Sequence, residues 1–161
     1  MYENILQVGL PEWSDDDQNL AKAVQKKVNS PSEIDGLAVV LDPIGLPITE
    51  PKSGGSDDIG DISWKVPTVT LRYPSNIPGL QGHHWSNAIA MATPIAHKGV
   101  ISGAQVEAMT LLDFLLKPEL VSQAWKYFDE EQASKQKYIP MVGVEDELSL
   151  IHISEPTRRR G

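Results

Sequence analysis

Ile62 to Tyr73 reads ISWKVPTVTLRY, and whether it forms a strand decides whether this chain holds a sheet. Its Val, Thr and Tyr content is that of extended structure. Pro67 has no N–H for a ladder, so it belongs at a strand start, a bulge or an edge. The surrounding stretch, Gly54 to Gly99, gathers an Asp-rich turn, three of the four histidines and two of the four tryptophans. No other segment has that mix of acid, imidazole and aromatic groups.

Downstream, the chain turns helical. Val100, Ile101, Ala104, Ala108, Leu111, Leu112 and Leu115 recur at helical spacing between Ile95 and Leu116, which predicts a broad buried stripe. Gly99 and Gly103 either weaken the first turns of that helix or let another backbone approach closely. Pro118 suits the first position of a further helix running to about Gln136, with Val121, Ala124, Trp125 and Phe128 on one face. Tyr138 to Val144 reads as extended.

Upstream, a short apolar segment from Ile5 to Leu10 ends at Pro11. Ser14 and Asp17 form a capping-box pattern, and the acids Asp15, Asp16 and Asp17 suit the positive end of a helix dipole. They read as a solvated helix start. Leu20, Ala23, Val24, Lys27 and Val28 carry the helical repeat, and Asn29-Ser30-Pro31 stops it. From Ser30 to Asp61 the chain is rich in Pro, Gly and Ser, with one apolar patch, GLAVVL at Gly36–Leu41. Such a loop reads as a surface excursion, or as a segment that packs on something this chain lacks.

At 161 residues the chain is long enough for one domain with a real core. A formal charge of −8 argues against nucleic acid or an anionic membrane as partner. Without cysteine, any metal site must be built from imidazoles and carboxylates. No run of about 18 apolar residues stands out as a membrane span, and the start, MYENILQVGL, lacks the features of a signal peptide. A cytoplasmic location is expected. The stretch LSLIHISEPTR, Leu148–Arg158, resembles the conceptual translation of a sequencing adapter. Residues 148–161 are therefore expected to be an artefactual, disordered tail, and His152 leaves the pool of candidate ligands.

Imidazole and carboxylate together suit zinc, manganese or cobalt. His83 and His84 follow the loop Asn76–Gly82 and precede Trp85. Adjacent side chains of an extended backbone point to opposite faces, so only one of the pair readily reaches a given metal. By spacing alone a hydrogen-bonded structural role is the commoner reading. Asp57, Asp58 and Asp61 flank Gly60, where turn formation and Asx capping account for them without a ligand. They do not follow a calcium-loop pattern. His97 sits near a helix start beside Lys98 and reads as structural. No P-loop and no nucleophile elbow occur.

Four motifs, in order, resemble the aminoacylase/carboxypeptidase family of dinuclear-metal amidohydrolases. They are VGLPEW at Val8–Trp13 followed by DDQNLAKAVQ, GGSDDIGDISWKVPTV, GHHW at Gly82–Trp85, and PIAHKG at Pro94–Gly99. The resemblance spans roughly residues 1–147 and is to the C-terminal part of that family's catalytic domain. It implies an α/β class, a partial α/β/α catalytic domain with the smaller lid domain absent. It implies hydrolysis of the amide bond of N-acyl amino acids such as aminobenzoyl-glutamate, with aminoacylase or dipeptidase activity as relatives of that reaction. Two divalent ions, zinc or manganese, would activate a shared water and stabilise the oxyanion, with a glutamate as base.

By the same resemblance, His83 takes the place of the last metal ligand. His84 supports the site or faces the substrate, or exchanges roles with His83. Asp57, Asp58 and Asp61 correspond to a loop bordering the metals. The other ligands and the general base have no counterpart in this chain, so the chain alone is expected to be inactive and to hold no metal tightly. The expected partner is a small-molecule substrate, with no nucleic acid and no membrane. Oligomerisation, as a homodimer or hetero-oligomer, would run through the missing lid. The alternative is a non-catalytic remnant or an interaction module.

Overall fold

The computed structural model describes residues 1–45 and 59–140. Among these residues six α-helices follow one another: α1 (Tyr2–Val8), α2 (Asp15–Val28), α3 (Ile59–Ser63), α4 (Trp85–Met91), α5 (Pro94–Leu116) and α6 (Pro118–Tyr127). A π-helical turn, Phe128–Gln132, continues α6. There is no strand among the described residues, which overturns the α/β expectation and the partial α/β/α domain with it.

The decisive stretch shows why. Ile62 and Ser63 end α3, a turn follows, and from Pro67 to Tyr73 the backbone is irregular. High β propensity becomes a sheet only when a second segment runs alongside to exchange ladder bonds. Here the chain lies against a helix instead. A Cβ added at Gly99 would meet the Pro74 carbonyl oxygen at 2.1 Å, and one at Gly103 would meet the Tyr73 Cβ at 3.2 Å. Close approach is thus what the two α5 glycines provide. The Tyr73 hydroxyl donates to the Gly9 carbonyl, tying the stretch to the end of α1. Tyr138–Pro140 is likewise irregular, and the rest of that expected extended segment lies outside the described residues.

GLAVVL shows how side chains can take the place of a ladder. Gln18 accepts from the Leu37 N–H at 2.8 Å and donates to the Leu37 carbonyl at 3.2 Å. Gln25 accepts from the Gly36 N–H at 2.7 Å and donates to the carbonyls of Ile34 and Gly36. The Trp13 indole donates to the Ala38 carbonyl. Residues 34–38 are therefore satisfied by α2 and its approach, and Leu37 drops into the core while Val39 and Val40 stay outside.

The α2 start follows its sequence. The Ser14 hydroxyl accepts from the Asp17 N–H, and the Asp17 carboxylate accepts from the Ser14 N–H. Asp15 and Asp16 are exposed, but Asp17 is buried. Its carboxylate also accepts from Lys98 of α5 at 2.5 Å, so this acid is a link between helices rather than part of a solvated start. Asn29 closes α2 in the left-handed conformation.

The core comprises Ala21, Val24, Leu37, Ile77, Ala90 and Ile95, flanked by Trp13, Leu20 and Leu80. It sits between α2, α4 and the first turns of α5. Farther along, α1 packs on α5 and Asn4 donates to Thr110 and Asp113. The buried residues of α5 are Ile95, Ala96, Gly99, Gly103, Val106 and Thr110. The predicted stripe is reversed: every one of its seven residues, Val100 to Leu115, is exposed. On the α6 face, only Phe128 is buried. An 18-residue window of α5 has a mean hydropathy of 1.3 and is 17% buried, so this helix is long and apolar enough to cross a membrane by length and composition. This corrects the expectation that no such apolar run is present; core helices of soluble proteins share this length and apolarity but are mostly buried, unlike this one. The tail 148–161 lies outside the described residues.

Candidate functional site

Gly82–Trp85 is a turn that enters α4. His83 is in the left-handed region, φ 56°, a conformation that a histidine visits more readily than most residues. His84 is extended, at φ −112° and ψ 151°. The pair is therefore not a continuous extended segment, and its two rings do different things. The His83 ring is exposed and makes no hydrogen bond to a described residue. The His84 ring folds back on its own helix, where Nδ1 accepts from the Ser86 N–H at 3.3 Å and lies 2.8 Å from the Ser86 hydroxyl. With Nδ1 used as an acceptor, the proton of the neutral ring sits on Nε2. His84 thus presents an N–H, and Trp85 lies beside it with ring centroids 5.0 Å apart.

His84 and Trp85 line a half-open cleft of about 770 Å³ between the end of α2 and the start of α4. Its walls also include Lys27, Asn29, Leu80 and Gln81. The loop 76–82 that forms one wall is pinned on both sides. Toward α2, the Pro78 carbonyl accepts from Gln25 at 3.1 Å and from Ser30 at 3.3 Å. A Cβ on Gly79 (φ 72°) would meet the Ser30 hydroxyl at 2.2 Å, so glycine is required both by the backbone angle and by the close approach. Toward α4, Asn87 donates to the Gln81 carbonyl at 2.6 Å and accepts from Asn76 at 2.8 Å. The cleft wall is held by side chains of two helices.

The acids are elsewhere. Asp57 and Asp58 lie outside the described residues. Asp61 sits in α3, accepts from the Tyr138 hydroxyl, and lines a separate cleft with Lys65 and Tyr138. Hydrogen bonding to Asp61, together with desolvation, pushes the Tyr138 phenol up from its usual range. The Lys65 ammonium lies 5.0 Å from the Tyr138 ring centre. His97 is exposed on α5. Among the described residues no three of His, Asp and Glu converge as a metal site would need. Those residues do not by themselves fit a two-metal centre.

Lys27, Asn29 and Gln81 escape the sequence reading because their importance depends on the loop 76–82 being drawn onto α2. The only signal available is the polar character of Gln25 and Ser30 at the end of a helix otherwise read for its apolar positions.

The likeness carried by the sequence is to a hydrolase. The relative is one of the subunits of the p-aminobenzoyl-glutamate hydrolase of Escherichia coli (strain K12), 23% identical over 162 residues. The match covers 88% of this chain and 34% of that protein, so the chain spans about a third of the relative's length. No family model matches the chain, and no solved structure matches it.

Proposed function

We propose that this chain is the histidine-bearing part of a metal-dependent amidohydrolase that cleaves N-acyl amino acids, most like aminobenzoyl-glutamate. The observation that carries the reading is the match over 88% of the chain to a hydrolase component whose name states that substrate. The contrast between the two histidines supports it. His83 is exposed with its ring uncommitted, as a ligand must be, whereas His84 is committed to Ser86 and offers an N–H. In this reading His83 gives one imidazole to a zinc or manganese centre. His84 donates to a neighbouring ligand or to the substrate, and the remaining ligands and the base come from beyond the described residues. Location in the cytoplasm and assembly through another domain belong to the same proposal. Related aminoacylase and dipeptidase activities share its chemistry.

A chimera tests it: residues 1–147 replace the matching third of the relative, and aminobenzoyl-glutamate hydrolysis is assayed with zinc or manganese. The expected result is activity that falls by orders of magnitude on His83→Ala with loss of bound metal. His84→Ala should cost about 10–100-fold. A folded chimera whose activity and metal content ignore His83→Ala overturns the reading. A second reading, a non-catalytic interaction module, is favoured by the exposed apolar length of α5. It predicts that a folded chimera is inert.

A further inference from the structure

We infer that the cleft between α2 and α4 is a binding site for an aromatic carboxylate, with Lys27, His84 and Trp85 as its recognition groups. The ligand class deepens the N-acyl amino acid reading and rests on it, but the site is argued from its own walls. The volume, about 770 Å³, is in the range that holds a small organic molecule. The chain carries a net charge of −8, yet among the described residues no Asp or Glu lines this cleft, and its ionisable lining is Lys27 and His84. A neighbouring cleft along α2, lined by Lys22, Lys26, Glu33 and Asp35 among others, mixes both signs and offers no such selectivity. Lys27 has no ion-pair partner among the described residues, whereas Lys22, Lys98, Lys117 and Lys135 each do. An acid-free wall with an uncommitted ammonium selects an anion.

The aromatic half follows from Trp85. This large ring is 52% exposed although it begins a helix whose other side is packed into the core. Stacking a planar ring against it recovers area that the fold leaves in water. His84 adds direction, because its Nδ1 is held by Ser86 and the proton is therefore on Nε2, ready to donate to a ligand oxygen. The pinned loop 76–82 means that the wall opposite need not order on binding, which lowers the entropic cost of association.

The test is calorimetric titration of the whole chain with 4-aminobenzoate and with aminobenzoyl-glutamate. Cyclohexanecarboxylate serves as the charge-only control, and 4-aminobenzamide as the ring-only control. 4-Aminobenzoate, and aminobenzoyl-glutamate, which joins the same ring through an amide to aliphatic carboxylates, should both bind, and each control should bind about tenfold more weakly, a difference of about 1.4 kcal/mol. Lys27→Met and Trp85→Leu, both at exposed positions, should each weaken 4-aminobenzoate about tenfold with the helical circular dichroism unchanged. His84→Asn keeps a side-chain acceptor for the Ser86 N–H and removes the Nε2 donor, so it too should weaken binding in a folded protein. Undetectable binding by the folded wild type overturns the proposal, as does binding that the folded Lys27 and Trp85 variants leave unchanged. Hydrolysis is not read here. An inert chimera with intact binding would sink the amidohydrolase reading and leave the site, and active chimeras without binding would do the reverse.

Discussion

The two ends of α5 are made of similar residues and end up in different worlds. Its first turns carry Ile95, Ala96, Gly99 and Gly103 into a core shared with α2, α4 and the loop 71–77. Its far half buries Thr110 with α1 packed alongside, but leaves Leu111, Leu112, Leu115 and Leu116 each more than half exposed. Apolarity is higher at the bare end, so apolarity alone does not place the core. What distinguishes the packed end is that the neighbouring chain can be satisfied there. Gln18 and Gln25 take up backbone groups of Ile34, Gly36 and Leu37, Trp13 takes up Ala38, Gln25 and Ser30 take up Pro78, and Asn87 takes up Gln81. A loop can lie against a helix only where its N–H and C=O groups find partners. The packed end supplies them.

The contrast breaks most visibly at Gly99. A Cβ there would sit 2.1 Å from a backbone oxygen and 2.5 Å from the Ser75 Cα, and neither can swing aside as a side-chain tip would. Gly99→Ala should destabilise the chain by about 3 kcal/mol, the upper part of the overpacking range, in urea melts. A loss below about 0.5 kcal/mol, the scale of a neutral surface change, would show that the loop does not rest on the helix. Gln25→Ala comes next. It strands the Gly36 N–H and carbonyl at a site that is 8% exposed, while the Ile34 and Pro78 carbonyls keep Ser32 and Ser30 as donors. About 2 kcal/mol is expected, because each buried group left without a partner costs about 1–3 kcal/mol before water re-enters. Amide exchange at Gly36 and Leu37 should rise in the same variant and not at α6.

Three of the six helices described, α2, α5 and α6, are legible in the chain, and the reasons are local. Ser14 and Asp17 cap α2 because that geometry needs only residues three apart, and Asn29 ends it for the same kind of reason. Pro118 begins α6 from the first-position preference, and α5, expected from Ile95, begins one residue earlier at another proline, Pro94. The failures are non-local. ISWKVPTVTLRY has strand composition, but composition cannot say whether a second strand will arrive. The apolar stripe of α5 is real as a pattern, yet its buried face is chosen by Tyr73 and Pro74 crossing at Gly99 and Gly103, residues that a hydropathy count ranks low. At the candidate site, GHHW is conspicuous, but the division of labour within it is not. It depends on Ser86 capturing one ring. Lys27 reads as one more member of the α2 repeat until the loop 76–82 folds over the end of that helix.

Asp17 sharpens the comparison through pH. Desolvation by burial raises its carboxyl pKa, but hydrogen bonds from Lys98 and from Ser14 outweigh it, and the net position is below the ordinary carboxylate range. A carboxyl depressed in the folded state adds stability that is complete above its unfolded pKa of about 3.9 and is lost as pH falls through the folded value. Urea midpoints should therefore drop in acid, and Asp17→Ala should flatten that part of the drop. At neutral pH the same variant should cost about 1–2 kcal/mol, the loss of the cap plus a link whose lysine is partly exposed. An unchanged acid limb in Asp17→Ala would mean that Lys98 does not hold this carboxylate in solution.

The smallest effect on folding belongs to the bare end. Leu115 is 79% exposed and Leu116 76%, and neither belongs to the buried cluster that organises the packed end. Replacing both with glutamine keeps good helix formers in place and removes apolar surface that the folded chain does not use. Stability should change by less than about 0.5 kcal/mol, the scale of ordinary surface substitutions. Solution behaviour should change more. Contiguous exposed apolar area drives association, so sedimentation at rising concentration should show less self-association for the double variant than for the wild type. Vesicle flotation adds a further arm, since α5 has the length and apolarity of a membrane span. A loss of several kcal/mol would contradict the comparison directly: it would mean that these leucines are buried in the folded molecule, and that the last turns of α5 belong to its core after all.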